Sequence, residues 1–129
     1  MIIQTKSQKI WIDNEGILNF EELAGREVHT LEDARENITA AQELRRKRKM
    51  LVLIDIRHVK KITIEARRYY ASTDVAGLNL ATAFYVDSLI SEVIANFFLG
   101  INRLGKYPLK CFYNKEAAKA WLRSQQQDG

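Results

Sequence analysis

Few side chains in this sequence are of the types that do chemistry. There are two histidines, His29 and His58, and one cysteine, Cys111. His58 follows the apolar run MLVLIDI, residues 50–56, at the strand end where α/β sheets place their ligands. With Asp55 close by, it is the better placed of the two to act as a base. Neither histidine has a Ser, Cys or Asp neighbour spaced as a triad signature. Cys111 lies inside LKCFYN, where a free cysteine acts as a small buried hydrophobe. A lone cysteine forms no internal disulfide, and no Cys/His spacing fits zinc. Gly77, Gly100 and Gly105 make no phosphate-cradling loop. The expectation is a chain without catalytic residues, metal or cofactor.

The remaining polar candidates gather in one stretch, LIDIRHVKKITIEARRYY, which runs from a buried strand through a short loop into a basic, aromatic helix. Asp55, Arg57, His58, Thr63, Glu65 and Arg67 are its candidate site residues, for a partner or a ligand. Thr63 also suits a helix N-cap, and Glu65 a first turn, where an acid meets the positive end of the macrodipole. Arg67 and Arg68 beside Tyr69 and Tyr70 could grip a phosphate or a base. They equally suit a helix that buries Tyr or Ala and lays arginine stems over apolar surface, which is the preferred reading.

Charge is divided along the chain. Residues 1–44 carry four Lys/Arg against nine Asp/Glu, and residues 45–129 carry sixteen against seven, giving +4 overall. Arg45, Arg46, Lys47, Arg48 and Lys49 are consecutive. A basic run attracts nucleic acid, but cations also complement the C-terminus of a helix, and this run stands where a helix should end. No specific nucleic-acid binding is expected.

The elements that position these residues are legible in the hydrophobic pattern. QKIWID alternates as a half-buried strand, Asn14-Glu15-Gly16 turns, and GILNFEEL returns as a second strand, with MIIQT as a short edge. Thr30 caps a helix whose Leu31, Ala34, Ile38, Ala41 and Leu44 share one face, with Asp33 and Arg45 facing elsewhere. MLVLIDI is uniformly apolar, as a strand covered on both faces is. Helix 64–72, strand 81–86, helix 88–101 and strand LKCFYN follow. Asn114 caps a last helix that turns Ala117, Ala118, Trp121 and Leu122 inward. Strands alternating with helices imply an α/β fold with a mostly parallel sheet, carrying an N-terminal antiparallel hairpin.

With 129 residues, 47% hydrophobic and 28% charged, the sequence reads as a single globular domain with a polar, frayed tail at 124–129. No stretch has the ~20 apolar residues of a transmembrane helix. Nothing at the N-terminus resembles an export signal, so a reducing cytoplasm is the expected compartment.

The Asp55, Val59, Ile62 pattern leading into a helix resembles the STAS domain family, which includes the bacterial anti-sigma-factor antagonist SpoIIAA. There the loop reads V-x-x-[IM]-D-S-[ST]-G, and its second hydroxyl residue is phosphorylated by a partner kinase. Small bacterial SpoIIAA-like proteins share the junction "D-x-R-x-V-x-x-I-T-x-E-A-R" and an "N-F-F-L-x-x-N" helix, a likeness spanning residues 50–122. The resemblance implies a STAS fold with about four helices. It also implies the loss of the switch: Thr63 replaces Asp, Ile64 and Glu65 take the hydroxyl positions, and Ala66 replaces Gly. Three functions stay open. One is a non-catalytic interaction module for a protein partner or an apolar ligand. The others are a degenerate partner-switching antagonist and a small enzyme using His58. SLISEVIANFFLGI, residues 88–101, carries a wider apolar arc than one core contact needs. A homodimer through Leu89 or through Ile94 and Phe98 is therefore expected.

Overall fold

Alternation in the first strands and its absence in the fourth set the architecture. The computed structural model describes residues 1–72, 75, 77–101 and 108–127. Strands β1 (Ile2–Gln4), β2 (Gln8–Ile12) and β3 (Leu18–Glu22) form an antiparallel meander. The β2–β3 turn closes on Asp13, whose carboxylate accepts from the backbone N–H of Glu15 at 2.9 Å and of Ile17 at 3.1 Å. Gly16 there has φ 80°, which glycine adopts without a Cβ penalty. Helix α1 (Leu31–Arg45) then leads to β4 (Met50–Asp55), α2 (Ile64–Ala71), β5 (Asn79–Tyr85), α3 (Leu89–Ile101), β6 (Leu109–Phe112) and α4 (Lys115–Gln127).

The six strands lie in chain order, β1-β2-β3-β4-β5-β6, and every pairing from β3 to β6 is parallel. Side chains of one parity, including Ile10, Leu18, Phe20, Met50, Val52 and Phe84, pack beneath α1, α2 and α3. Those of the other parity, Leu51, Leu53, Ala81 and Ala83, pack against Ala118 and Leu122 of α4. Strand β4 is covered on both faces, which is why it is apolar at successive positions.

The ends of α1 explain the basic run. Thr30 Oγ1 accepts from Asp33 N–H at 3.2 Å and Asp33 Oδ2 accepts from Thr30 N–H at 2.9 Å, a reciprocal capping box. At the other end Arg46 and Lys47 take positive φ, and Arg48 folds back to donate to the carbonyls of Leu44 at 2.9 Å and Arg45 at 2.8 Å. Arg48 thus satisfies carbonyls that the helix leaves open.

Several expectations are corrected. Asp33 and Arg45 do not face outward: both are buried, Asp33 through its capping bonds and a pair with Arg26, Arg45 through a 2.8 Å bond from Nη2 to Asn79 Oδ1. Ala117 is exposed, because the inward stripe of α4 runs through Ala118, Trp121 and Leu122. Helix α4 runs into the polar tail as far as Gln127; Asp128, Gly129 and Gly105 lie outside the described residues.

Candidate functional site

Strand β4 ends in Asp55, and the loop that follows is built by side chains rather than by glycine. Asp55 Oδ1 accepts from Arg57 N–H at 3.1 Å, a local turn. The Arg57 guanidinium then forks onto the same carboxylate, Nε to Oδ1 at 3.0 Å and Nη2 to Oδ2 at 2.8 Å, and lies 4.3 Å from the Tyr85 ring centroid. The bond to Asp55 holds the guanidinium well above its ordinary pKa. Both groups are therefore committed to each other. Val59 and Ile62 are buried and fill the space beneath the loop. His58, Lys60, Lys61, Ile64 and Glu65 are exposed. Thr63 caps α2, its Oγ1 accepting from Ala66 N–H at 3.1 Å, and Ala66 is fully buried. Asp55 and His58 are thus not brought together as a catalytic pair.

The loop is pinned from an unexpected side. His29 N–H donates to Lys61 O at 2.8 Å, and Thr63 N–H donates to His29 O at 3.0 Å. The His29 side chain is buried too, between Glu22 on β3 and Tyr70 on α2. Nδ1 lies 2.8 Å from Glu22 Oε2, and Nε2 lies 2.6 Å from Tyr70 Oη. Asn37 Nδ2, on α1, donates to Tyr70 Oη at 3.2 Å and to Ser7 Oγ at 2.9 Å. Gln8 Nε2 donates to Glu22 Oε1 at 3.0 Å. An arrangement consistent with all of these has Tyr70 O–H donating to Nε2 and Nδ1–H donating to the Glu22 carboxylate, while Tyr70 Oη accepts from Asn37. Burial, with Glu22 and Asp33 nearby, holds the Tyr70 phenol well above its usual value. In the sequence His29 stands alone; the fold gives it partners from two other elements.

The third feature is α3. Its buried side is formed by Ser91, Ile94 at 7% exposure and Ala95, and Phe98 stacks on Phe84 at 5.5 Å between centroids. At the expected interface edge Ile94 is therefore buried, and Phe98 is partly buried against the core. The other side leaves Leu89, Ile90 and Val93 at 75%, 56% and 60% exposure. Arg67 reaches over from α2, its guanidinium 4.9 Å from the Phe97 centroid, with Nε buried and lacking a hydrogen-bond partner. On the opposite flank Tyr113 O–H donates to Glu92 Oε2, and that bond pushes the exposed phenol up to about 12. Cys111, half-buried in β6 against the core, has its thiol pushed up by burial. Among the described residues no three or more His, Cys, Asp or Glu gather as a metal would require. No described helix is long and apolar enough to cross a membrane.

Comparison with known proteins agrees with this architecture. The family model described as "Domain of unknown function (DUF7793)" matches residues 10–126, and the chain belongs to that family. Among solved structures it is similar to an uncharacterized protein of the DUF3478 family with a SpoIIAA-like fold from Shewanella loihica PV-4. The TM-score is 0.63 at 16% identity, covering 95% of this chain and 90% of that one. At that identity the likeness shows the fold, which is SpoIIAA-like. No curated protein matches the chain.

Proposed function

With that family and fold as premises, we propose that the chain is a non-catalytic interaction module that docks a protein partner on the exposed face of α3. The observation that carries this reading is the set of Leu89, Ile90 and Val93 lying exposed on one side of a helix whose other side is buried. Clustered exposed apolar side chains mark interaction surfaces, whereas single ones do not. The shape of the face favours a protein over a small ligand. Small molecules are held in concave sites that enclose most of their surface, and a single helix flank is convex. The junction supports a non-catalytic role, since Asp55 is committed to Arg57 and His58 has no side-chain partner among the described residues. Glu65, at the position where the STAS loop carries its phosphorylated hydroxyl, has no hydroxyl to offer.

A second reading has its own observation. Lys60, Lys61, Ile64 and Glu65 are all exposed around the junction, so a degenerate partner-switching antagonist would meet its partner there instead. A photo-crosslinking amino acid placed singly at Ile90, at Lys61 and at the exposed control Gln42 separates the two in the cells of origin. A protein adduct from Ile90 alone is the expected result. An adduct from Lys61 alone would transfer the docking site to the junction, and no adduct from either position would end the interaction reading.

A further inference from the structure

We infer that the partner on this face is a second copy of the same chain, related by a two-fold axis running along α3, so that the two α3 helices point the same way. The inference rests on the docking reading and adds the identity and orientation of the partner.

At ~100° per residue, Leu89, Val93, Phe97 and Ile90 fall at about 0°, 40°, 80° and 100° around the helix, and Glu92 at about 300°. The exposed stripe therefore has Glu92 beyond its Leu89 edge, on the β6 side, where Tyr113 holds the carboxylate. Beyond its Phe97 edge it has Arg67, arriving from α2. Arg67 forms no ion pair with the described residues, and its Nε is buried without an acceptor. A guanidinium placed beside apolar surface in this state suits a carboxylate brought by the partner.

Symmetry decides which partner supplies it. In a two-fold interface the same patch meets itself. If the axis lies across the helices, Glu92 faces Glu92 and Arg67 faces Arg67, and both contacts repel. If the axis lies along the helices, the acidic flank of each copy faces the basic flank of the other, twice. Glu92 and Phe97 are five residues apart, ~7.5 Å along the axis, an offset that the long Glu and Arg side chains can span. An unrelated partner would have to carry an apolar stripe with the same two charges in the reverse order. The chain already presents one.

Sedimentation equilibrium of the full chain at micromolar concentration and physiological salt should give twice the 14.9 kDa monomer mass. Val93→Glu should give a monomer with unchanged far-ultraviolet circular dichroism. Glu92→Arg and Arg67→Glu should each weaken dimerisation about tenfold or more, and the two combined should restore it to within about threefold of wild type. In a Cys111→Ser background, Leu89→Cys and Val93→Cys, made singly, should each form an interchain disulfide on oxidation, because helices pointing the same way bring every position of the stripe to its own copy, whereas opposed helices do so at one position only. A wild-type monomer whose Ile90 crosslinks to a different protein overturns this inference and leaves the docking reading intact. A monomer with no adduct overturns both. A dimer insensitive to Val93→Glu, not restored by the paired charge swap, or lacking the Leu89→Cys or the Val93→Cys crosslink overturns the parallel arrangement of the two helices.

Discussion

Tyr70 Oη stands between His29 Nε2 and Asn37 Nδ2, and no other described group takes the place of that hydroxyl. Tyr70→Phe keeps the ring and removes one oxygen, stranding a buried acceptor and a buried donor together. Leaving such groups unpaired costs about 1–3 kcal/mol, so the urea midpoint should fall by that equivalent with an unchanged m-value. A loss below about 0.5 kcal/mol, the range of ordinary surface substitutions, would show that the hydroxyl does not hold α2 in place. The same cluster marks the limit of legibility at this scale. Thr30, Thr63 and Asn114 are readable as caps because capping needs only three residues of local sequence. His29 is not readable as a buried group, because its partners lie seven residues before it and forty-one after it. One signal is present. Glu22 falls in phase with Leu18 and Phe20, so the period of a strand turns it to the inner face, where an acid needs a partner.

At the scale of elements, α1 shows how local chemistry and burial are coupled. Asp33 closes the capping box with its Oδ2 and also pairs with Arg26. Burial alone would raise its carboxyl, but the Thr30 N–H bond and the Arg26 pair outweigh that and hold it below the ordinary 3.8. A carboxyl whose folded pKa is depressed contributes stability above its unfolded pKa, and that contribution is lost as pH falls through the folded value. Wild type should therefore be more stable than Asp33→Asn at neutral pH, and the gap should close as pH drops below 3.8. Denaturation series at several acid pH values would show it, and a gap that stays constant down to pH values well below the carboxylate range would rule out Asp33 as its source. The helix itself is legible from Thr30 and the spacing of Leu31, Ala34, Ile38, Ala41 and Leu44. The inward turn of Asp33, Asn37 and Arg45 is not, since polar residues enter a helix's buried face only where other elements supply partners. Helix α3 shows the converse. Its apolar arc is readable as too wide for one contact, but which edge stays outside depends on where α2 and β5 lie. Phe84 takes Phe98 inward and leaves Leu89 in water.

Across the whole molecule, which strands are covered on both faces is legible in the hydrophobic pattern, whereas their order in the sheet is not. Strand β4 has α1–α3 on one side and α4 on the other and is apolar at successive positions. Strand β2 buries Ile10 and leaves Lys9 exposed, and it alternates accordingly. Charge follows less directly, because a cation's reach depends on what the fold has already done with it. Of the five cations at 45–49, Arg45 is buried against Asn79, and burial lowers its pKa. Arg48 is bonded to the carbonyls that end α1. Arg46, Lys47 and Lys49 remain, exposed and without ion pairs among the described residues. Each phosphate neutralised on duplex DNA contributes about 0.9 to the slope of log affinity against log salt. If the run is the contact, its slope should be about −2.7, not the roughly −4.5 that five free cations would give. Fluorescence anisotropy with two unrelated duplexes across a salt series measures this. The two sequences should bind alike, and Lys47→Ser should make the slope shallower by about 0.9. A clear preference for one duplex at physiological salt would overturn the sequence-independent reading, and a slope near −4.5 would mean that Arg45 and Arg48 leave their places in the fold to bind. The affinity would then rise as the end of α1 unwinds, so a Pro placed in its last turn should strengthen binding.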